Sequence, residues 1–254
     1  MMRADDLDPR RDQDLRSRAY AEVVGSLDHQ RSRRGPEVSA QLIDMGSLRA
    51  SAAIVARALL GKLLVVAGDD ERCGGIIVET EAYLGRRDPA CHLARGRTPR
   101  TEPFFRGAGT IYVYAIHQQV CLNVITGGED EPECVLIRAV EPTVGIEPMR
   151  GRRGREEVHE LASGPGKLCR ALGITRADSG TRLGDGRIGI FETGAVLPTV
   201  GVTRRIGIRH AIEWPLRFVL QGNRHLSRSA RDAVISTSPT ADAAFDVDRW
   251  DAHA

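Results

Sequence analysis

Two glutamates, Glu79 and Glu81, stand in the segment Val78-Glu79-Thr80-Glu81-Ala82-Tyr83. On an extended strand, residues two apart share a face. Both carboxylates and the Tyr83 ring therefore project to one side, and Val78, Thr80 and Ala82 to the other. A carboxylate can accept a proton, orient a water or stabilise a developing cation. A lone glutamate on a half-exposed strand is ordinarily just solvated; here its neighbours give it weight. The chain has four tyrosines, and Tyr83, Tyr112 and Tyr114 lie close together in sequence, the last two on one strand face. Between them fall His92 and a basic loop carrying Arg95, Arg97, Arg100 and Arg106. Aromatic faces, a carboxylate and an arginine-rich loop are what an enzyme needs to act on a nucleobase drawn out of a duplex. A sugar hydrolase is the rival for two carboxylates. At about 6.6–6.8 Å of strand rise, Glu79 and Glu81 fall in the range of inverting enzymes, but they point the same way instead of flanking a bond. Nothing local separates Glu79 from Glu81.

Further polar groups sit in apolar company. Arg138 follows Ile137 in an apolar run and can pair with Glu133 or Glu141; Asn123 is an amide inside Cys121–Thr126. The turn Ser163-Gly164-Pro165-Gly166-Lys167 opens a short helix, and backbone N–H groups at a helix start beside a lysine can seat a phosphate, although Gly-Pro-Gly is equally a good turn. The five cysteines are scattered, with no C-x-x-C pair, so neither a zinc knuckle nor a dithiol redox motif is written here. They read as reduced, buried thiols. No metal or cofactor is expected.

These groups need elements to position them. Ser51 is a candidate N-cap for a helix with a stripe of Ile54, Val55, Ala58 and Leu59 that stops at Gly61. Strands are expected at Leu63–Ala67, Gly75–Leu84, Thr110–Ile116, Val120–Thr126, Cys134–Val140, Arg187–Glu192, Thr203–His210 and Leu216–Leu220. The polar stretch from Gly127 to Glu133 reads as the turn of a hairpin. Lys167–Leu172 is a short helix ending at Gly173. Strands and helices do not alternate regularly, which disfavours a doubly wound sheet and favours one mixed α+β domain.

Residues 1–46 form a charged extension, 47–230 the body and 231–254 a tail. The 254 residues carry a net +2, and the body holds most of the excess: residues 47–228 have 26 basic and 20 acidic groups. Nearly all the positive charge is arginine, Lys62 and Lys167 being the only lysines. Arginine suits phosphate, so the balance leans weakly toward nucleic acid. No run approaches the roughly 18 apolar residues of a membrane span. Met1–Arg18 is charged throughout and lacks the apolar core of a secretory signal, so an intracellular protein, of cytoplasm or nucleoid, is expected.

Taken in order, the strings VARALLGKLL, GGIIVETEAYLG, DPACHLARGRT, GTIYVY, CLNVIT, VLIRAVEP, SGPGKLCRALGI and PLRFVLQGN resemble the alkyladenine (3-methyladenine) DNA glycosylase family over most of the body. The resemblance implies a curved, mainly antiparallel sheet with a β-hairpin protruding toward DNA and helices around it. It implies a monomeric, metal-free, monofunctional enzyme of base excision repair. The partner would be double-stranded DNA with a damaged purine of the 3-methyladenine, 7-methylguanine, ethenoadenine or hypoxanthine class. By this likeness Glu81 is the general base, and Arg138 and a carbonyl near Leu220 hold its water. Tyr83 and Tyr114 sandwich the flipped base, His92 lies at its edge, and Asn123 closes the pocket floor. On their residue types and setting, the basic loop with Arg95, Arg97 and Arg100 and the helix start at Gly166 and Lys167 are expected along the DNA backbone.

The likeness breaks in places. Ala115–Val120 is one residue short of the family's hairpin tip and lacks its second aromatic, leaving His117, with Gln118 beside it, as the wedge. Pro148 interrupts a segment that tends to be helical in the family, and Thr101 stands where asparagine is common. The altered tip keeps a second reading alive: a DNA-binding relative, weak or inactive as a catalyst, that recognises distorted DNA.

Overall fold

The structure, a computed structural model, describes residues 41–68, 71–194 and 199–235. The expected extension thus falls outside the described residues up to position 40, and the tail from position 236. Gln41–Asp44 run beside a strand, with Ile43 N–H on Ile190 O at 3.0 Å and Glu192 N–H on Gln41 O at 2.9 Å.

The first helix, α1 (Ala52–Ala58), begins at Ser51, but the serine side chain makes no cap. Glu133 takes that role from a distant strand: its Oε2 accepts the Ala52 N–H at 2.6 Å. A carboxylate there satisfies an orphan donor and favours the positive end of the helix dipole. Two strands follow, β1 (Leu63–Ala67) and the long β2 (Arg72–Tyr83). Next come β3 (Ile111–Ile116), β4 (Gln119–Gly127) and β5 (Pro132–Val144), two successive hairpins. Helices α2 (Ile146–Arg153), α3 (Val158–Leu161) and α4 (Pro165–Leu172) come after them. Pro148 lies in the first turn of α2, where its missing N–H would have had no partner, so the helix forms around it. Four short strands complete the described chain: β6 (Ile188–Phe191), β7 (Val200–Thr203), β8 (Arg217–Leu220) and β9 (Val234–Ile235).

All the strands join one antiparallel sheet in the order β3-β4-β5-β2-β8-β7-β9, with β1 between β2 and β6. The molecule is α+β. Strand β2 is its spine. It pairs with β5 along nearly its whole length, and on its other side with β1 first and then β8. One face of β2 packs under α1, where Val78 and Ala82 are fully buried and Thr80 Oγ1 donates to Ala56 O at 2.8 Å. The opposite face carries Glu79, Glu81 and Tyr83.

The strand expected at Thr203–His210 is not there. The chain leaves the sheet after Thr203, because the next residues are held elsewhere: the Arg205 guanidinium is buried against Asp88, and the Ile206 N–H points at Glu81. Gly207, at φ 77°, completes the departure.

Candidate active site

Register assembles the site. Tyr112 on β3 stands opposite Asn123 on β4, Asn123 opposite Leu136 on β5, Leu136 opposite Glu81 on β2, and Glu81 opposite Arg217 on β8. A row of side chains therefore crosses five strands. Tyr114 opposite Cys121 and Tyr83 opposite Cys134 lie one pleat to either side on the same face. The β2–β5 ladder is irregular here. Glu79 pairs with Ala139 and Thr80 with Ile137, so Arg138 has no residue opposite it. Such a bulge re-aims its side chain. Arg138 sits between the two carboxylates, its Nε 2.9 Å from Glu79 Oε1 and its Nη1 3.2 Å from Glu81 Oε2.

The two glutamates are equally buried, at 0% exposure, yet differently held. Glu79 Oε1 accepts from Arg138 Nε, from Arg217 Nε at 2.8 Å and from Ser227 Oγ at 2.7 Å, and its Oε2 accepts the Ser227 N–H at 2.6 Å. Burial opposes its charge, but Arg138, Arg217 and the Ser227 donors outweigh burial and hold the carboxyl below its ordinary range. Glu81 accepts the Tyr83 hydroxyl at 3.0 Å and Arg138 Nη1 on Oε2, and the Ile206 N–H at 2.7 Å on Oε1. Of the two, Glu81 is the one that adjoins the aromatic side chains.

Those aromatics form a cluster. Tyr83 and Tyr114 pack against the buried cluster formed by Cys91, Leu93, Phe104, Tyr112, Ile125 and Cys134. His92 meets Tyr114 edge-on, with ring centres 4.5 Å apart, and its Nδ1 lies 2.8 Å from the Tyr112 hydroxyl. Burial, then the nearby Arg100 and Arg95, lower its pKa from 6.5 to about 4, so the ring is neutral at physiological pH. Arg100 Nη2, 3.2 Å from His92 Nε2, has only hydrogens to offer. That assigns Nε2 as the acceptor and Nδ1 as the protonated nitrogen, donating to Tyr112. Burial pushes Tyr112 up to about 12 and Tyr114 higher still; burial and then Glu81 raise Tyr83. All three stay neutral phenols. Asn123 donates to Tyr112 O at 3.0 Å.

The structure thus brings Glu81, Arg138, Tyr83, His92, Tyr114 and Asn123 together. It does not bring Leu220 to Glu81. Leu220 lies beyond Val219, the partner of Glu79, and its carbonyl accepts the Asn223 N–H at 3.2 Å. The backbone group found at Glu81 belongs to Ile206. The basic loop is also less free than its sequence suggests. Arg97 forms a two-pronged pair with Glu102, both distances 3.0 Å, and Arg100 turns inward over the Tyr114 ring at 5.2 Å. Arg95 and Lys167 are exposed.

The hairpin turns on two residues, His117 and Gln118, both exposed. His117 takes φ 52°, the left-handed value that tight hairpin turns require. Ile116 beside it is 48% exposed. At the start of α4, Gly164 has φ 144°. A Cβ on Gly166 would overlap the Gln119 amide, so this glycine serves the docking of the hairpin stem on the helix.

Sequence patterning missed Asp88, Arg205, Arg217 and Ser227. Arg205 bonds Asp88 through both terminal nitrogens, donates to Ala82 O at 3.0 Å and lies over the Tyr83 ring at 4.7 Å. The one signal was charge inside apolar strings, as for Arg217 in PLRFVLQGN.

A family model for methylpurine-DNA glycosylase matches residues 47–224. Among similar proteins, one from Methanoculleus marisnigri is 47% identical over 179 residues, covering 68% of this chain and 92% of the relative. One from Bacillus licheniformis is 43% identical over 180 residues, 68% of this chain and 90% of the relative. One from Bacillus subtilis is 43% identical over 178 residues, 68% and 90%. All three bear the name "Putative 3-methyladenine DNA glycosylase".

Proposed function

Because the chain belongs to the methylpurine-DNA glycosylase family, and so is a DNA-repair enzyme of the 3-methyladenine glycosylase type with DNA as substrate, we propose the following chemistry for its residues 47–230. A damaged purine flips from the duplex into the space bounded by Tyr83, Tyr114 and His92. Glu81 activates a water that attacks C1′, and the purine leaves without a lyase step. The observation that carries this reading is the placement of Glu81. It is a buried carboxylate held by Tyr83, Arg138 and Ile206 at the edge of an aromatic cluster.

The physical argument is differential. Flipping costs a few kcal/mol, and stacking on aromatic rings returns about 1–3 kcal/mol per base. Methylation at N3 or N7 makes the purine cationic. A tyrosine face attracts a cation, and a cationic purine is already a good leaving group. Cleavage of the C1′ bond builds positive charge on the sugar, which the Glu81 carboxylate stabilises while taking a proton from the attacking water. Arg138 orients that carboxylate and offers hydrogen bonds toward the substrate side. Asn123, its amide spent on backbone carbonyls, gives the pocket floor a fixed shape. Neutral lesions such as hypoxanthine and ethenoadenine depend more on stacking. His117, with Gln118, fills the gap left in the duplex, and Arg95 and Lys167 meet phosphates.

The test is a duplex with a single hypoxanthine or ethenoadenine, incubated with the purified protein and scored for alkali-labile sites. Wild type yields abasic product. Glu81→Gln keeps DNA binding and loses about 10²–10⁴ in single-turnover rate, the span of a general base. Binding without product from the wild type would instead identify a non-catalytic relative that recognises distorted DNA.

A further inference from the structure

The loop after β8 walls a cavity of about 420 Å³, with Gln221, Asn223, Arg224, Ser229 and Arg231 among its lining. Arg224, Arg228 and Arg231 are exposed. Arg224 meets the His159 ring at 3.2 Å, and among the described residues none of the three guanidinium groups has a carboxylate partner. The same loop is anchored at Glu79 and Arg138, beside the proposed catalytic carboxylate. Ser227 donates twice to Glu79 and accepts from Arg138 Nη2 at 3.2 Å. Ser227 also lies against the start of α4, its Cβ 3.8 Å from where a Gly164 Cβ would stand, and two residues on Gly166 meets Gln119 of the hairpin. Hairpin, helix start and loop are therefore continuous, and they border the site.

We propose that the loop Gln221–Arg231 is a phosphodiester-binding site that takes the DNA backbone beside the flipped nucleotide. The inference rests on the reading of duplex DNA as substrate. Guanidinium forks match phosphate oxygens in pairs, and the Ser229 hydroxyl and the Gln221 amide add neutral donors. Of the arginines singled out by sequence, Arg97 pairs with Glu102 and Arg100 lies over the Tyr114 ring, and Arg95, like Arg224 and Arg231 of this loop, is exposed. A backbone gripped here is fastened to the segment that holds Glu79 and Arg138, so docking and catalysis share one loop.

The experiment measures binding of undamaged and lesion-bearing duplexes by fluorescence anisotropy across a series of salt concentrations. Each phosphate that the protein ceases to neutralise makes the plot of log K against log salt shallower by about 0.9. The double variant Arg224→Gln/Arg231→Gln is expected to show that shift for each phosphate it releases, and Arg224→Lys/Arg231→Lys to keep the wild-type slope. A glutamine variant with the wild-type slope overturns the proposal, as does a lysine variant whose slope falls as far as that of the glutamine one. Base release from the same preparations separates the two readings. Excision with an unchanged slope sinks the loop alone; the expected slope shift with no excision by wild type sinks the glycosylase chemistry alone.

Discussion

Glu79 and Glu81 share a residue type, a strand and a face, and their partners divide the roles between them. Two arginines and both donors of Ser227 converge on Glu79, which makes it the keystone of a buried charge network. Removing one partner of such a network leaves the others uncompensated. Glu79→Gln is therefore expected to destabilise the fold by about 3–5 kcal/mol, read from urea denaturation, and to cost clearly more than Glu81→Gln. Equal losses would contradict the division. His92 sets a pH dependence. Its folded pKa lies near 4, against 6.5 ordinarily. Above 6.5 the ring is neutral whether the chain is folded or not. As pH falls, the unfolded chain takes the proton first, so stability declines between about 6.5 and 4 and levels off below. Denaturation midpoints of His92→Gln measured across that window should fall less steeply than those of wild type; parallel curves would mean that His92 does not titrate this way.

At the scale of elements, two features shape the site. The segment after β7 breaks from the sheet to put the Ile206 amide on Glu81. It is pinned by Arg205, whose side chain is fully buried against Asp88 and whose guanidinium backs the Tyr83 ring. One buried pair thus fixes both the Tyr83 ring and the segment whose amide meets the Glu81 carboxylate. The β3–β4 hairpin is the other feature. His117 adopts a backbone conformation that glycine accepts more easily, so His117→Gly keeps the turn while removing the imidazole. We expect this variant to fold at least as well as wild type and to lose retention of the flipped base more than single-turnover cleavage. A 2-aminopurine reporter beside the lesion would follow it. Retention unchanged in His117→Gly but lost in Ile116→Ala would move the wedge to the exposed isoleucine.

Across the whole molecule, among the described residues, no helix is long and apolar enough to cross a membrane, and the five cysteines are free and buried. Local pattern was enough to mark most strands, the short helix at Lys167–Leu172 and the face shared by Glu79, Glu81 and Tyr83, because strand alternation and turn residues act over a few positions. The resemblance, carried by strings such as VETEAY and VLIRAVEP, pointed to the family and to Glu81 over Glu79. Tertiary structure decided what depends on register and on charge pairing across the chain. The bulge that aims Arg138 at both carboxylates exists only once β2 and β5 are paired. That the Ile206 amide is the backbone group on Glu81 was hidden for the same reason, since it is set by the path of the segment after β7. Ser51 gave up its capping role to Glu133, far away in sequence. Arg97 and Arg100 looked free in a basic loop until folding gave them Glu102 and His92. A sequence records which side faces inward; which partner waits there follows from how distant segments pack.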